Sequence, residues 1–144
     1  IEHVRDWRLV INNMKAVLRR GGYIYITTRS FGFPYHAYPH DYWRYEPSDM
    51  ARIFRDFGII NLARDQKGPG VFLKARKPMD HKPIDLGEIA LYSIILGKRT
   101  KEIVDLSKAS MTRRLWLRFC RSRIKIKWLL PGTLLGLITK RYCV

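Results

Sequence analysis

PYHAYPHDYWRYEP, Pro34 to Pro47, packs four tyrosines, a tryptophan, two histidines, an aspartate and an arginine between prolines. It follows a strand-like run, Tyr23–Thr28, and precedes a helix-like run, Pro47–Phe57. In an α/β chain, the loop after the carboxyl end of a strand is where ligands bind. Its prolines fix φ and push the preceding residues toward extended shapes, so this loop is held in place. The competing reading is a loop whose aromatics plug the end of a core.

Working outward, the upstream side reads as a helix. Trp7, Val10, Ile11, Met14, Val17 and Leu18 fall on one helical face. Asp6 is placed to cap it, Arg19 and Arg20 sit at its negative end, and Gly21-Gly22 stops it. Tyr23–Thr28 is rich in aromatic and β-branched residues and reads as a buried strand. On the downstream side, Pro47 suits a first helical position, and Met50, Ile53, Phe54 and Phe57 form the next apolar stripe before Gly58. Ile59–Gln66 and Val71–Lys77 read as two strands joined by Lys67-Gly-Pro-Gly70, an antiparallel hairpin. A helix in first position implies a strand before Ile1, and with it a longer parent protein.

The 144 residues have room for about one domain and are 47% apolar, which excludes a wholly disordered chain. With 28 Lys and Arg against 12 Asp and Glu, the net charge is +16, which calls for an anionic partner or surface. The basic excess is concentrated at one end: Lys108–Val144 holds 10 basic residues and no acidic one. Cys120 and Cys143 share no metal spacing, and no secretory signal is seen, so the expected setting is reducing and cytoplasmic.

Three phrases together resemble class I S-adenosylmethionine (SAM)-dependent methyltransferases of the type-11-like group. They are Ile1-Glu-His-Val-Arg-Asp-Trp7, the helix end Val17-Leu-Arg-Arg-Gly-Gly-Tyr-Ile24, and His36 with Pro39-His-Asp-Tyr-Trp-Arg-Tyr45. The likeness covers Ile1 to Pro78. It implies the C-terminal part of a Rossmann-like sheet, with Tyr23–Thr28 as strand five, Ile59–Gln66 as strand six and Val71–Lys77 as an antiparallel strand seven. It also implies SAM as cofactor and a small-molecule, lipid or glycan acceptor. The family's Gly-rich SAM-binding turn is absent, since the ten glycines form no Gly-x-Gly-x-x-Gly pattern. The resemblance therefore places the cofactor-binding half upstream of Ile1 and leaves this chain the substrate side, inactive alone.

Methyl transfer needs donor and acceptor aligned, and a proton removed from an oxygen or nitrogen nucleophile. His36, His40 and Asp41 are the residue types that accept such a proton, although Asp41 equally suits an internal pair with Arg44. Tyr42, Trp43, Arg44 and Tyr45 are the candidates for gripping substrate. The resemblance puts Glu2 and His3 at the floor of the cleft, on the cofactor side. Some relatives hold a divalent metal with Glu-x-x-Glu-His; only Glu-His stands here, so no metal is expected.

Residues 79–144 read as a basic, mostly helical extension to a methyltransferase part over 1–78. Ile84–Leu96 is expected to be a helix packed on the domain. Thr112–Arg121 interleaves arginines with Leu115, Trp116, Phe119 and Cys120 as a basic amphipathic helix, and Arg123–Trp128 fits a strand as well. Trp128–Ile138 is too short to span a bilayer. Contact of 108–144 with an anionic membrane, which would make the protein membrane-peripheral, competes with a solvated or packed tail. The rival to an enzyme is a non-enzymatic basic module for such a membrane or for nucleic acid. Nucleic acid is disfavoured, because the aromatics of the loop do not interleave with the basic run as a stacking platform requires.

Overall fold

The computed structural model describes residues 1–36 and 40–127, with side chains as far as 122. Helix α1 (Trp7–Val17) begins at Asp6, whose carboxylate accepts the Leu9 N–H at 3.0 Å. It buries Trp7, Ile11 and Lys15, whereas Val17, expected on the same stripe, faces solvent. A turn closed by Gly22 N–H donating to the Arg19 carbonyl leads out of it, with Gly21 at φ 74°, as position three of a type II turn requires.

Strand β1 (Tyr23–Arg29) alternates outward and inward residues. Its inner residues Ile24, Ile26 and Thr28 lie opposite Ala75, Leu73 and Val71 of β4 (Gly70–Arg76), so one face of the pair is sealed against the core. The other face carries Tyr23, Tyr25 and Phe72 in the open, with Lys74 over both tyrosine rings. Between these strands in sequence come β2 (Trp43–Arg44), helix α2 (Pro47–Ile53) and β3 (Gly58–Arg64). β3 pairs antiparallel with β4 as a hairpin edge, bulged between Ile59 and Asn61.

Among the described residues every strand pairing is antiparallel, which corrects the expectation of a parallel, Rossmann-like sheet. The reason is the short link after β3. Adjacent parallel strands need a crossover of roughly a dozen residues or more, whereas Asp65–Pro69 permits only a hairpin. β4 then takes the edge of β1, so β1 and β3, which α2 separates in sequence, never meet.

A second sheet was not expected at all. β2 pairs with β5 (Leu91–Ser93), and β5 with β6 (Lys98–Thr100) through a turn at Gly97, φ 70°. The helix expected over Ile84–Leu96 does not form. Arg8 of α1 donates to the carbonyls of Leu86, Gly87, Ile89 and Lys101, three of which a helix there would have kept for itself. Nor is the extension mostly helical up to Ser110: only the 3-10 turn Leu106–Lys108 precedes α3 (Met111–Lys127). That helix continues through Arg123–Lys127, settling the strand alternative for those residues; Trp128–Ile138 lies outside the described residues.

One core joins both ends of the described residues. Leu86, Leu91, Ile95, Val104, Leu117 and Cys120 belong to the same buried cluster as Trp7, Trp43, Met50, Phe54 and Leu73. No described helix is long and apolar enough to cross a membrane.

Beside that core, the Lys15 ammonium donates to Asp56 at 2.6 Å and to the Ile53 carbonyl, and His81 meets the other Asp56 oxygen at 2.9 Å. Phe54 and Phe57 cover the ammonium, and both charged side chains are nearly sealed from water. Burial lowers the Lys15 pKa, opposed by Asp56. Removing one partner of a buried pair strands the other. Asp56→Ala is expected to cost about 3–5 kcal/mol in urea unfolding. A loss below about 1 kcal/mol would show that water reaches the ammonium freely.

Candidate functional site

The site is built where the first residues of the chain meet the end of β1 and the Pro34–Pro47 loop. Glu2 is buried there. Its carbonyl accepts the backbone N–H groups of Tyr42 at 2.9 Å and Trp43 at 3.3 Å, while its carboxylate accepts the Thr28 hydroxyl at 2.9 Å. The start of the chain is thereby fixed to both β1 and β2. Trp43 reinforces this, its indole N–H donating to the Val4 and Arg5 carbonyls at 3.0 and 3.1 Å.

Asp41 and Arg44 form a fully buried, two-pronged pair at 2.6 and 2.7 Å. Arg44 also donates to the carbonyls of Trp43, Phe33 and Pro34, tying the two ends of the loop together. Burial pushes the Asp41 carboxyl up, but the Arg44 guanidinium and His36 outweigh it and keep the pKa lowered. Asp41 is thus a permanent carboxylate with its lone pairs engaged.

His36 stands between two acids. Its Nδ1 lies 2.9 Å from Asp41 and its Nε2 3.6 Å from Glu2. Partial burial lowers its pKa, but the interactions with Asp41 and Glu2 prevail and lift it to about 9. For Glu2, burial raises the pKa and the His36 partner outweighs it, holding the carboxyl far below its usual range. At neutral pH the centre is therefore carboxylate, imidazolium, carboxylate, guanidinium.

His3 packs edge-on against His36, ring centroids 4.7 Å apart, and its Nδ1 lies 2.7 Å from the His40 carbonyl. A carbonyl only accepts, so Nδ1 carries the hydrogen and, in the neutral ring, Nε2 keeps the lone pair. That nitrogen is 4.0 Å from Glu2. Sequence gave no sign of this: the carbonyl that selects the tautomer is 37 positions away.

The expected substrate-gripping residues part company. Tyr42 is half-buried, its ring 5.7 Å from that of His40. Trp43, Arg44 and Tyr45 are sealed in the core, and the Tyr45 hydroxyl and Arg44 Nε find no partner among the described residues. Behind Glu2 opens a polar cavity of about 320 Å³ walled by Glu2, Thr27, Thr28, Arg29, Asp65 and Phe72. Glu2, His3 and His36 also offer one oxygen and two nitrogens within 4.8 Å of one another, a donor set of divalent-cation type. The proton held by His36 competes with a cation there, because imidazole must be neutral to ligate.

The raised pKa of His36 has a sign. Its ordinary value is 6.5 and its folded value about 9, so its contribution to stability is complete below about 6.5 and is lost as pH climbs to about 9. Because the ring is about one-third exposed, screening reduces this contribution to on the order of 1 kcal/mol. The melting temperature followed by circular dichroism should fall across that interval, and His36→Gln should flatten the slope. Parallel slopes in the two proteins would mean the imidazolium does not brace the loop.

No protein-family model, curated protein or solved structure matches this chain.

Proposed function

We propose that this chain carries the acceptor side of a SAM-dependent methyltransferase acting on a small-molecule, lipid or glycan acceptor. The observation supporting it is the fixed His3 tautomer beside the Glu2–His36–Asp41–Arg44 chain, whose Glu2 also lines a polar cavity. SAM, when bound, supplies an electrophilic methyl group on a sulfonium. The fit to this chain is partial. Glu2 and Asp65 bring two carboxylates to the cavity against the one guanidinium of Arg29, a balance that suits a cationic centre, but no Gly-rich turn is present for the nucleotide part. The remaining contacts would have to come from a partner segment that carries such a turn, for which the open Tyr23–Tyr25–Phe72 face is the proposed seat.

In this reading His3 Nε2 takes the proton from the acceptor's hydroxyl or amine. His36 remains protonated and holds Glu2 in place, and Asp41 with Arg44 fixes the loop that presents Tyr42 to the acceptor. To act as the base, His36 would first have to lose the proton that Asp41 and Glu2 hold on it.

The 144-residue chain should show no tight SAM binding by calorimetry; saturation in the micromolar range at one site per chain would contradict the division of labour. With a SAM-binding partner segment supplied, His3→Ala should lower kcat for methyl transfer about a hundredfold or more with the melting temperature unchanged. Asp41→Asn should act mainly on stability. Full turnover in His3→Ala would remove His3 from the chemistry.

A second reading has its own observation. Met111, Leu115 and Phe119, one helical stripe of α3, are exposed alongside Arg114 and Arg118. That pattern suits a helix lying on an anionic, cytoplasm-facing membrane surface. Co-sedimentation with anionic vesicles should then fall as salt rises and should be lost in Leu115→Asp. Equal sedimentation of the variant would discard the reading.

A further inference from the structure

We infer that the groove between α3 and the Tyr35 end of the loop is a binding site for the phosphate group of an amphiphilic molecule. Arg114, Arg118 and Arg121 fall at i, i+4 and i+7, so α3 lines them along one side of an open cavity of about 310 Å³. Leu117 and Leu106 give the same cavity an apolar lining, and Tyr35 and His40 close it toward the loop. The volume lies at the lower end of small-molecule pockets, which bury an apolar body and orient it with a few polar groups.

The charge here is unbalanced by construction. No acidic residue occurs after Asp105, and Asp105 itself pairs with Arg5. Arg114 spends two nitrogens on the Ala109 and Ser107 carbonyls, which fixes its guanidinium at the rim. For Arg118 and Arg121 no carboxylate lies within ion-pair distance among the described residues. Planar guanidinium forks match phosphate oxygens in pairs, and no other residue in the cavity would compete for them. Burial, helped by Asp41, holds the Tyr35 phenol protonated, with its pKa pushed up to about 12, so it faces an anion as a neutral donor.

The site is separate from the carboxylate cluster, and the inference does not depend on methyl transfer. A phosphate with an apolar chain could reach the groove free in solution or as a lipid headgroup, and the probes separate the two. The 144-residue chain is titrated by calorimetry with hexyl phosphate, inorganic phosphate and hexanol. It is also sedimented with phosphatidylcholine vesicles with and without phosphatidic acid. Hexyl phosphate should bind one per chain, about tenfold or more tighter than inorganic phosphate, since the chain adds apolar burial. Hexanol should not bind. Arg118→Gln/Arg121→Gln should weaken binding about tenfold or more with the melting temperature unchanged. Arg52→Gln/Arg55→Gln, the same charge removed elsewhere, should leave it intact. Binding to phosphatidic acid vesicles alone, lost in the Arg118/Arg121 variant, would identify a headgroup. Binding to neither probe, or an equal loss in both double variants, would overturn the inference.

Discussion

The buried Asp41–Arg44 pair is the constraint on which the rest of the site depends. Two charges taken out of water are costly unless every lone pair and hydrogen finds a partner. Asp41 meets this with Arg44, the His36 backbone N–H and the His36 ring; Arg44 adds three carbonyls and leaves only Nε unmatched. The pair therefore specifies one loop path. Any other path would strand a charge in the same core that holds Trp43, Tyr45 and Phe54. From that path follow the pairing of β2 with β5, the docking of Tyr42 and Trp43 on the Glu2 carbonyl, and the position of His36 between two acids.

What the sequence revealed, and what it hid, follows from the length over which a pattern repeats. Helix α1 and the β3–β4 hairpin were legible because periodicity or turn chemistry extends across seven or more residues. The second sheet was not. Trp43–Arg44, Leu91–Ser93 and Lys98–Thr100 are too short to show a period of two, and their pairing depends on partners up to fifty residues away. Ile84–Leu96 was apolar enough to suggest a helix, yet its carbonyls are taken by Arg8, a tertiary contact that overrides local propensity. Lys15 on the buried stripe of α1 is a similar case, since only Asp56, forty-one positions on, makes it tolerable there.

At the site, residue types were legible and directions were not. The aromatic cluster of the loop could as well have gripped a ligand as filled a core, and it divides: Tyr42 keeps an open side while Trp43 and Tyr45 turn inward. Asp41 was balanced in the sequence between base and anchor. Its two short bonds to Arg44 and its depressed pKa describe an anchor's environment, while its catalytic part is a matter for mutation. The His3 tautomer had no local signature whatever, because it is set by a carbonyl in the middle of the loop, 37 positions on.

The same loop also separates two electrostatic regions. His36 faces Glu2 and Asp41, whereas Tyr35, its neighbour in sequence, lies against Trp116 and lines the groove with Arg118 and Arg121. A net charge of +16 spread evenly would leave the Glu2 cavity positive on every side. Instead Asp41, Asp49 and Asp56 are drawn into pairs whose carboxylates are buried, Glu2 and Asp65 line the Glu2 cavity, and the arginines of α3 stand where no acid follows them in sequence. Partly buried charges act over short range with little screening, so the Glu2–His36–Asp41 cluster and the arginine groove can flank one loop without cancelling. Moving Asp41 would disturb both, because the same pair that holds His36 also sets where Tyr35 lies.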